Sequence, residues 1–317
     1  MKDFLRRAEA ALLWLVYQGF RALPVDTASS VGGWIGRHLG PWLPASKRAR
    51  RNLALALPSH DAEKIILGMW DNLGRLAGEF PHALTFMRDA KRMKIVGEEN
   101  LAAIRQRGER AIFFSGHLGN WELTYPFMGR MGLRGGGIYR AANNPYLRWL
   151  FERQHDYPDL DLIPKGPSGA RRSIETLSDG KSLAMFVDQK MNDGIPVPFF
   201  GRPAMTAPAL AALALKFGCP VIPFRIIRIQ GANFCAEISA PMYFTDTGNR
   251  ADDQLTAMSR VNAVLEGWIR QYPAQWFWLH RRWPKEALPD GSSLAAPQST
   301  PRCQPVDGCK QDGIKAA

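Results

Sequence analysis

The sequence predicts an α/β fold: a mixed, largely parallel sheet flanked by helices and preceded by one N-terminal helix. Two observations carry this. Short apolar runs of β-rich composition occur at Arg110–Ser115 (RAIFFS), Lys181–Val187 (KSLAMFV), Cys219–Ile229 (CPVIPFRIIRI) and Asn233–Ile238. Helix-length segments lie between them at Pro145–Gln154, Gly169–Leu177 and Ala207–Phe217, and strands separated in this way pair in parallel. Taken in order, residues 1–24 read as the N-terminal helix, with Lys2, Arg6 and Arg7 ahead of an apolar run from Ala10 to Phe20 broken only by Gln18 and Gly19. From Val25 to Met87 the pattern is helical, since Ile65, Ile66, Met69, Trp70, Leu73 and Leu76 recur at helix spacing. Alternating strands and helices begin near Met93, and Asp252–Gln271 is a last long helix. The stretch from Leu288 onward is rich in Pro, Gly, Ser and Gln without periodicity. The main domain is therefore placed at 25–288 and a disordered tail at 289–317, with Cys303 and Cys309 incidental in it.

Composition removes several classes. With 46% hydrophobic and 22% charged residues the chain is not disordered, and no stretch of about 20 apolar residues marks a multi-span membrane protein. Four cysteines without a C-x-x-C pair make neither a disulfide framework nor a zinc knuckle. The formal charge is +12, accompanied by 10 Trp and 16 Phe, so the partners to consider are nucleic acid, an anionic membrane surface or an acidic protein. The run from Ala10 to Phe20 is too short to span a bilayer. It resembles a signal peptide in charge order but lacks a convincing small-x-small cleavage site, and an ordinary core helix is the plain alternative. The reading preferred is a membrane-associated helix with Trp14, Tyr17 and Phe20 as interfacial aromatics, assisted by the basic cluster Lys47, Arg48, Arg50 and Arg51.

Several familiar signatures fail on spacing. Gly180-Lys181-Ser182 lacks the first glycine of a phosphate-binding loop, there is no G-x-S-x-G or H-E-x-x-H, and six scattered His residues show no pair at ligand spacing, so no metal is expected. What remains is Phe113-Phe114-Ser115-Gly116-His117-Leu118-Gly119-Asn120-Trp121-Glu122, at the carboxyl end of a strand, where ligands gather in α/β sheets. The pattern suits His117 in a glycine-flanked turn, Asn120 as N-cap and Glu122 in the first helical turn, its carboxylate folded back to fix the imidazole tautomer. A His held by a carboxylate with no reactive Ser or Cys beside it is suited to act as general base on a substrate hydroxyl. Two alternatives stand: Ser115 as nucleophile, or His117 and Glu122 as mere turn and first-turn residues.

These residues resemble the His-x4-(Asp/Glu) motif of the glycerolipid and lipid A acyltransferases. Gly-His-Leu-Gly-Asn-Trp-Glu most resembles the branch holding the lipid A late acyltransferases (lauroyl and myristoyl transferases). Further blocks agree in order: Ile138-Tyr139-Arg140 with Asn143-Asn144-Pro145, Asp188-Gln189-Lys190, Pro198-Phe199-Phe200-Gly201 with Thr206, and Pro273 to Trp283 (PAQWFWLHRRW). The resemblance covers Met1 to about Trp283 and implies a glycerolipid-acyltransferase-like fold.

It implies that His117 takes the proton of an acceptor hydroxyl attacking an acyl thioester, that Glu122 orients the ring, and that no cofactor is needed. Backbone N–H groups near Gly119 and Asn120, or Arg140, would meet the oxyanion. Arg140 would contact substrate phosphate or the transition state, with Asp188 fixing Arg140 or a loop. The Phe199-Phe200-Gly201-Arg202 loop would close the acyl pocket or grip phosphate. Acyl carrier protein is the expected donor, a hydroxyl of a lipid A precursor the expected acceptor, and the cytoplasmic face of the inner membrane the expected location. A phospholipid, aminolipid or glycolipid acceptor is the second enzyme reading. A basic membrane- or nucleic-acid-binding module is the rival from another class. For Trp276, Phe277, Trp278 and Trp283, packing is preferred over nucleic-acid stacking, and no nucleic-acid partner is expected.

Overall fold

A computed structural model describes residues 2–140, 142–148 and 160–284. The second half of the helix expected at Pro145–Gln154, and the tail expected at 289–317, lie outside the described residues. The chain opens with helices α1 (Lys2–Arg21), α2 (Val25–Leu39), α3 (Ala45–Ala56), α4 (Ala62–Glu79) and α5 (Ala83–Arg88). Then come β1 (Met93–Val96), α6 (Glu99–Arg107), β2 (Ile112–Ser115), α7 (Thr124–Arg130), β3 (Gly135–Tyr139), β4 (Leu160–Pro164), α8 (Pro167–Ser178) and β5 (Ser182–Phe186). A hairpin of β6 (Ile195–Phe199) and β7 (Arg202–Thr206) follows, then α9 (Ala209–Phe217), β8 (Val221–Gln230), β9 (Asn233–Ile238) and α10 (Arg250–Gln271).

Seven strands form one sheet in the order β1-β9-β8-β2-β5-β3-β4. All pairs are parallel except β8 with β9. The class expected from sequence is therefore the one observed. Strands β1 and β4 and the separate β6–β7 hairpin were not anticipated. Each is short, and proline interrupts β6 and β7, which dilutes the alternation that marks a strand.

Both faces of the sheet are covered, which is why its central strands read as nearly continuous apolar runs. Ile112 and Phe114 point into one core, where Val261, Leu265 and Trp268 of α10 pack, with Phe114 stacked on Trp268 at 5.9 Å between centroids. Phe113 points into the other, under Leu101 and Ile104 of α6 and Phe127 and Met128 of α7. In the parallel part of the sheet, β2, β5 and β3 are adjacent, so their carboxyl ends lie along one edge.

Helices α2 and α4 approach backbone to backbone. A Cβ on Gly36 would lie 2.1 Å from the Trp70 carbonyl oxygen, and one on Gly32 2.2 Å from that of Gly74. Gly36→Ala should therefore push the pair apart and lower stability by about 1–3 kcal/mol, the usual cost of overpacking. Chemical denaturation checks this, and an unchanged midpoint contradicts it.

No described helix is long and apolar enough to cross a membrane. The basic cluster expected at a lipid surface is largely engaged with protein: Arg48 donates to the Leu279 carbonyl at 2.8 Å, Arg51 reaches the Pro284 carbonyl, and Arg50 forms a bidentate pair with Glu63 at 2.7 and 2.9 Å. Of the three expected interfacial aromatics only Trp14 is exposed, since Tyr17 and Phe20 are half-buried and Tyr17 meets Phe80 edge-on at 6.4 Å.

Candidate active site

The end of β2 runs through Ser115 and Gly116 into a turn carrying His117. Gly119 in that turn has φ +58°, and a Cβ there would lie 2.0 Å from the Ile226 carbonyl oxygen, so both conformation and space demand glycine. The turn is sewn to the segment after α10: the Gly119 N–H donates to the Gln275 carbonyl and the Phe277 N–H to the His117 carbonyl, both at 3.0 Å.

The side chain that meets His117 comes from the end of β5, next to β2. Nδ1–H of His117 donates to Oδ1 of Asp188 at 2.7 Å, and the His117 backbone N–H donates to Oδ2 at 2.8 Å. The Trp276 indole N–H adds a third bond to Oδ2, also 2.8 Å. His280 Nε2 stands 3.7 Å away, too far for a hydrogen bond. Burial of Asp188 alone would raise its pKa, but His117 and then His280 outweigh it and hold the carboxyl well below the usual carboxylate range. An ionised Asp188 fixes the proton on Nδ1 and leaves Nε2 with its lone pair. Gln189 Nε2 lies 3.3 Å from that atom. The imidazole remains 17% exposed within a cage of Trp121, Phe186, Phe277 and His280 rings, with centroids 4.8 to 6.4 Å away.

Several expectations change. The carboxylate on Nδ1 belongs to Asp188, whereas Glu122 accepts the Trp121 indole N–H at 2.9 Å. Asp188 does not serve mainly to fix Arg140: its partners are His117, Trp276 and His280. Asn120 makes no side-chain cap and instead donates to Glu79 at 2.7 Å. The Gly119 N–H, bonded to Gln275, is not available to an oxyanion. Ser115 is buried, with its hydroxyl 3.4 Å from the Gly116 carbonyl.

Arg140 is exposed directly after β3, on the same sheet edge as His117 and two strand spacings, about 10 Å, from β2. Arg202 opens β7 opposite Phe199, beyond the tight turn at Phe200 (φ 52°) and Gly201 (φ 70°). That turn is not an open phosphate loop: Phe199 is buried, stacks on Trp283 at 5.5 Å, and belongs to the core with Phe200. Trp276, Trp278 and Trp283 are likewise buried, as the packing reading had it, which removes them as a stacking surface for nucleic acid. His117, Asp188 and His280 do bring three ligand-type atoms within 4.8 Å, a grouping that chain spacing had not suggested. Both Asp188 oxygens, however, already accept N–H donors, the arrangement of a hydrogen-bonded dyad.

The family model for bacterial lipid A biosynthesis acyltransferases matches residues 2–285. This chain belongs to that family. It is an acyltransferase. It is 27% identical over 296 residues to a lipid A biosynthesis acyltransferase of Haemophilus influenzae, covering 88% of this chain and 93% of the relative. Two Escherichia coli K12 proteins are also similar. The lipid A biosynthesis lauroyltransferase is 24% identical, over 88% of this chain and 90% of its own, and the palmitoleoyltransferase 26%, over 89% and 91%.

The acyltransferase holds the His117 turn from two sides, and the α4 side of that grip, Asn72 and Glu79 with Arg228, lies outside every sequence block. Arg228 of β8 forms a buried bidentate pair with Glu79 and donates to Asn72 at 2.9 Å. Glu79 also receives Asn120 (2.7 Å) and Ser29 (2.6 Å), and Asn72 donates to the Gly119 carbonyl at 2.9 Å. Helix α4 thus grips both residues that follow His117-Leu118. On the other side, fully buried Arg282 donates to Met205, Thr206 and Asn262 at 2.9 to 3.3 Å, anchoring the segment that brings in Trp276 and His280. Burial pushes the pKa of Arg282 down to about 10.

Burial also lowers the pKa of His280 below its ordinary 6.5, with Asp188 opposing and His117 and Arg282 reinforcing the shift. Below pH 6.5 the unfolded chain then binds this proton before the folded one does. Stability should decline from about that pH down to the folded-state value and contribute no further slope below it. Replacing His280 with Gln should flatten this part of a stability–pH curve, and an unaltered curve contradicts the assignment.

Proposed function

We propose that the protein transfers a fatty acyl chain from the thioester of acyl carrier protein to a hydroxyl of a lipid A precursor, at the cytoplasmic face of the inner membrane. The observation that carries this reading is the His117–Asp188 dyad, whose imidazole stays partly exposed and whose second nitrogen meets only the Gln189 amide among the described residues. Among the described residues no Ser or Cys is bonded to that nitrogen, so the oxygen it activates is the acceptor's own. Nε2 takes the hydroxyl proton as the oxygen attacks the thioester carbonyl. Asp188 stabilises the imidazolium, and the proton passes to the leaving thiolate. The thioester is a substrate, and the reaction needs no cofactor or metal.

Glu122 assists from the other side by fixing Trp121, whose ring meets His117 edge-on at 5.3 Å. Arg140 offers the acceptor phosphate or the oxyanion a two-pronged donor, while the +12 charge favours an acidic carrier. The relatives' names support the acceptor class, and a match covering at least 88% of this chain and 90% of each relative supports carrying it over.

The test is thioester consumption by purified protein given acyl carrier protein thioester and lipid A precursor, with the product identified by mass spectrometry. Absence of acylated precursor overturns the reading. Arg140→Lys, which keeps charge but loses the fork, should lower transfer about tenfold or more, whereas full activity would reduce Arg140 to long-range attraction.

A further inference from the structure

Helices α1 and α2 are inside out. A surface helix of a globular protein turns its bulky apolar residues toward the core. Here α2 faces α4 with Ala28, Ser29, Gly32 and Gly36, while Trp34 (63% exposed), Ile35 and Leu39 (61%) point away from the body. Trp42, in the Pro41-containing turn Gly40–Trp42, is 87% exposed. Helix α1 repeats the pattern. Asn144 donates to the Arg6 carbonyl and to Glu9 at 2.8 and 3.0 Å, and the Tyr146 hydroxyl meets Asp3 and Arg7 at 3.0 and 3.1 Å. Leu12 and Leu15, meanwhile, are 63% and 61% exposed.

We propose that the outer face of α2 and the Gly40–Trp42 turn form a lipid-docking surface that seats the enzyme on an anionic bilayer, with Trp42 as its leading wedge. Charge favours this occupant. Residues 1–56 hold nine Lys and Arg against three Asp and Glu, a net +6 that is half of the chain's +12. Exposed Lys47 follows the patch in sequence, Arg37 pairs with Asp71 at 3.2 Å yet keeps 55% of its side chain exposed, and Trp next to cationic side chains is the composition of the membrane interface. Since no described helix can span, the contact is one of shallow insertion. The glycine contacts leave α2 little freedom to shift on α4, and α4 holds the Gly119–Asn120 turn through Asn72 and Glu79. Docking α2 therefore sets the height of His117 above the lipid surface. The inference rests on the acceptor being a membrane lipid and adds to it a contact that the N-terminal helix alone would not supply.

The experiment uses the full chain and vesicles of phosphatidylethanolamine with phosphatidylglycerol. Wild type should float with the vesicles, and a Trp34→Asp, Trp42→Asp double variant should bind at least about tenfold more weakly with α1 intact. Exposed Tyr243→Asp, remote in sequence, should bind as wild type does. Bromine-labelled lipid should quench wild-type tryptophan fluorescence more than that of Trp42→Phe, a variant that keeps the fold and the apolar surface. Flotation of the double variant equal to wild type, or equal quenching in Trp42→Phe, overturns the proposal. So does a stable dimer in sedimentation that the double variant dissolves, because a second copy would then be the occupant. Transfer to acceptor dispersed in detergent is read in parallel: if wild type fails there, the acyltransferase assignment to this lipid falls, whatever the flotation shows.

Discussion

His117→Ala is expected to cut acyl transfer by about 10³-fold, the scale of losing a positioned general base, with little change in folding. The ring is a surface-edge group, and its removal leaves Asp188 still bonded by the His117 position's backbone N–H and by Trp276. Asp188→Asn is expected to be comparably severe, about 10²- to 10⁴-fold, for a different reason. Both carboxylate oxygens face N–H donors, so either orientation of the amide sets N–H against N–H. The imidazole then turns or changes tautomer, and Nε2 no longer carries the lone pair toward substrate. Ser115→Ala, which removes a buried hydroxyl lying 3.4 Å from the Gly116 carbonyl, should retain most activity. Single-turnover rates with saturating thioester test all three. A folded His117→Ala enzyme within about tenfold of wild type would remove the base assignment.

The second large effect is on Glu79. Glu79→Ala leaves Arg228 buried without its counter-charge, which typically costs about 3–5 kcal/mol, and releases Asn120 as well. The stability loss should appear in chemical denaturation. Activity should fall in the surviving folded fraction too, because Gly119 and Asn120 set the path of the turn after His117. Replacing the pair together, Glu79→Leu with Arg228→Met, should recover much of the stability, since buried ion pairs often exchange for apolar groups at little cost. It should not recover turnover. A double variant both stable and fully active would show that the network serves packing alone.

The class of fold was legible because it depends on local texture. Both-sided burial makes β2 and β5 nearly continuous apolar runs, β8 is apolar apart from its paired Arg225 and Arg228, and helices of ordinary length separate them. The turn at His117 was legible for the same kind of reason: a strand ends and two glycines bracket a histidine, whereas the burial that sets Ser115 aside came only with the structure. The short strands β1 and β4 and the hairpin were not, because four or five residues, some of them proline, carry too little periodicity.

What the sequence by itself determined, then, is an α/β chain with a candidate base at the end of a strand, and the family whose blocks surround it. Only the tertiary structure decided which acid serves that base. Glu122 was the natural choice because it is five residues away, yet the sheet order lays β5 beside β2 and delivers Asp188 from 71 residues on. It likewise decided that Glu79 grips Asn120 across 41 residues and that α2 shows its tryptophan to the outside. The physical reason is common to all three. A hydrogen bond between distant elements, or the choice of which helix face packs, depends on strand order and helix docking, and neither leaves a periodic trace along the chain.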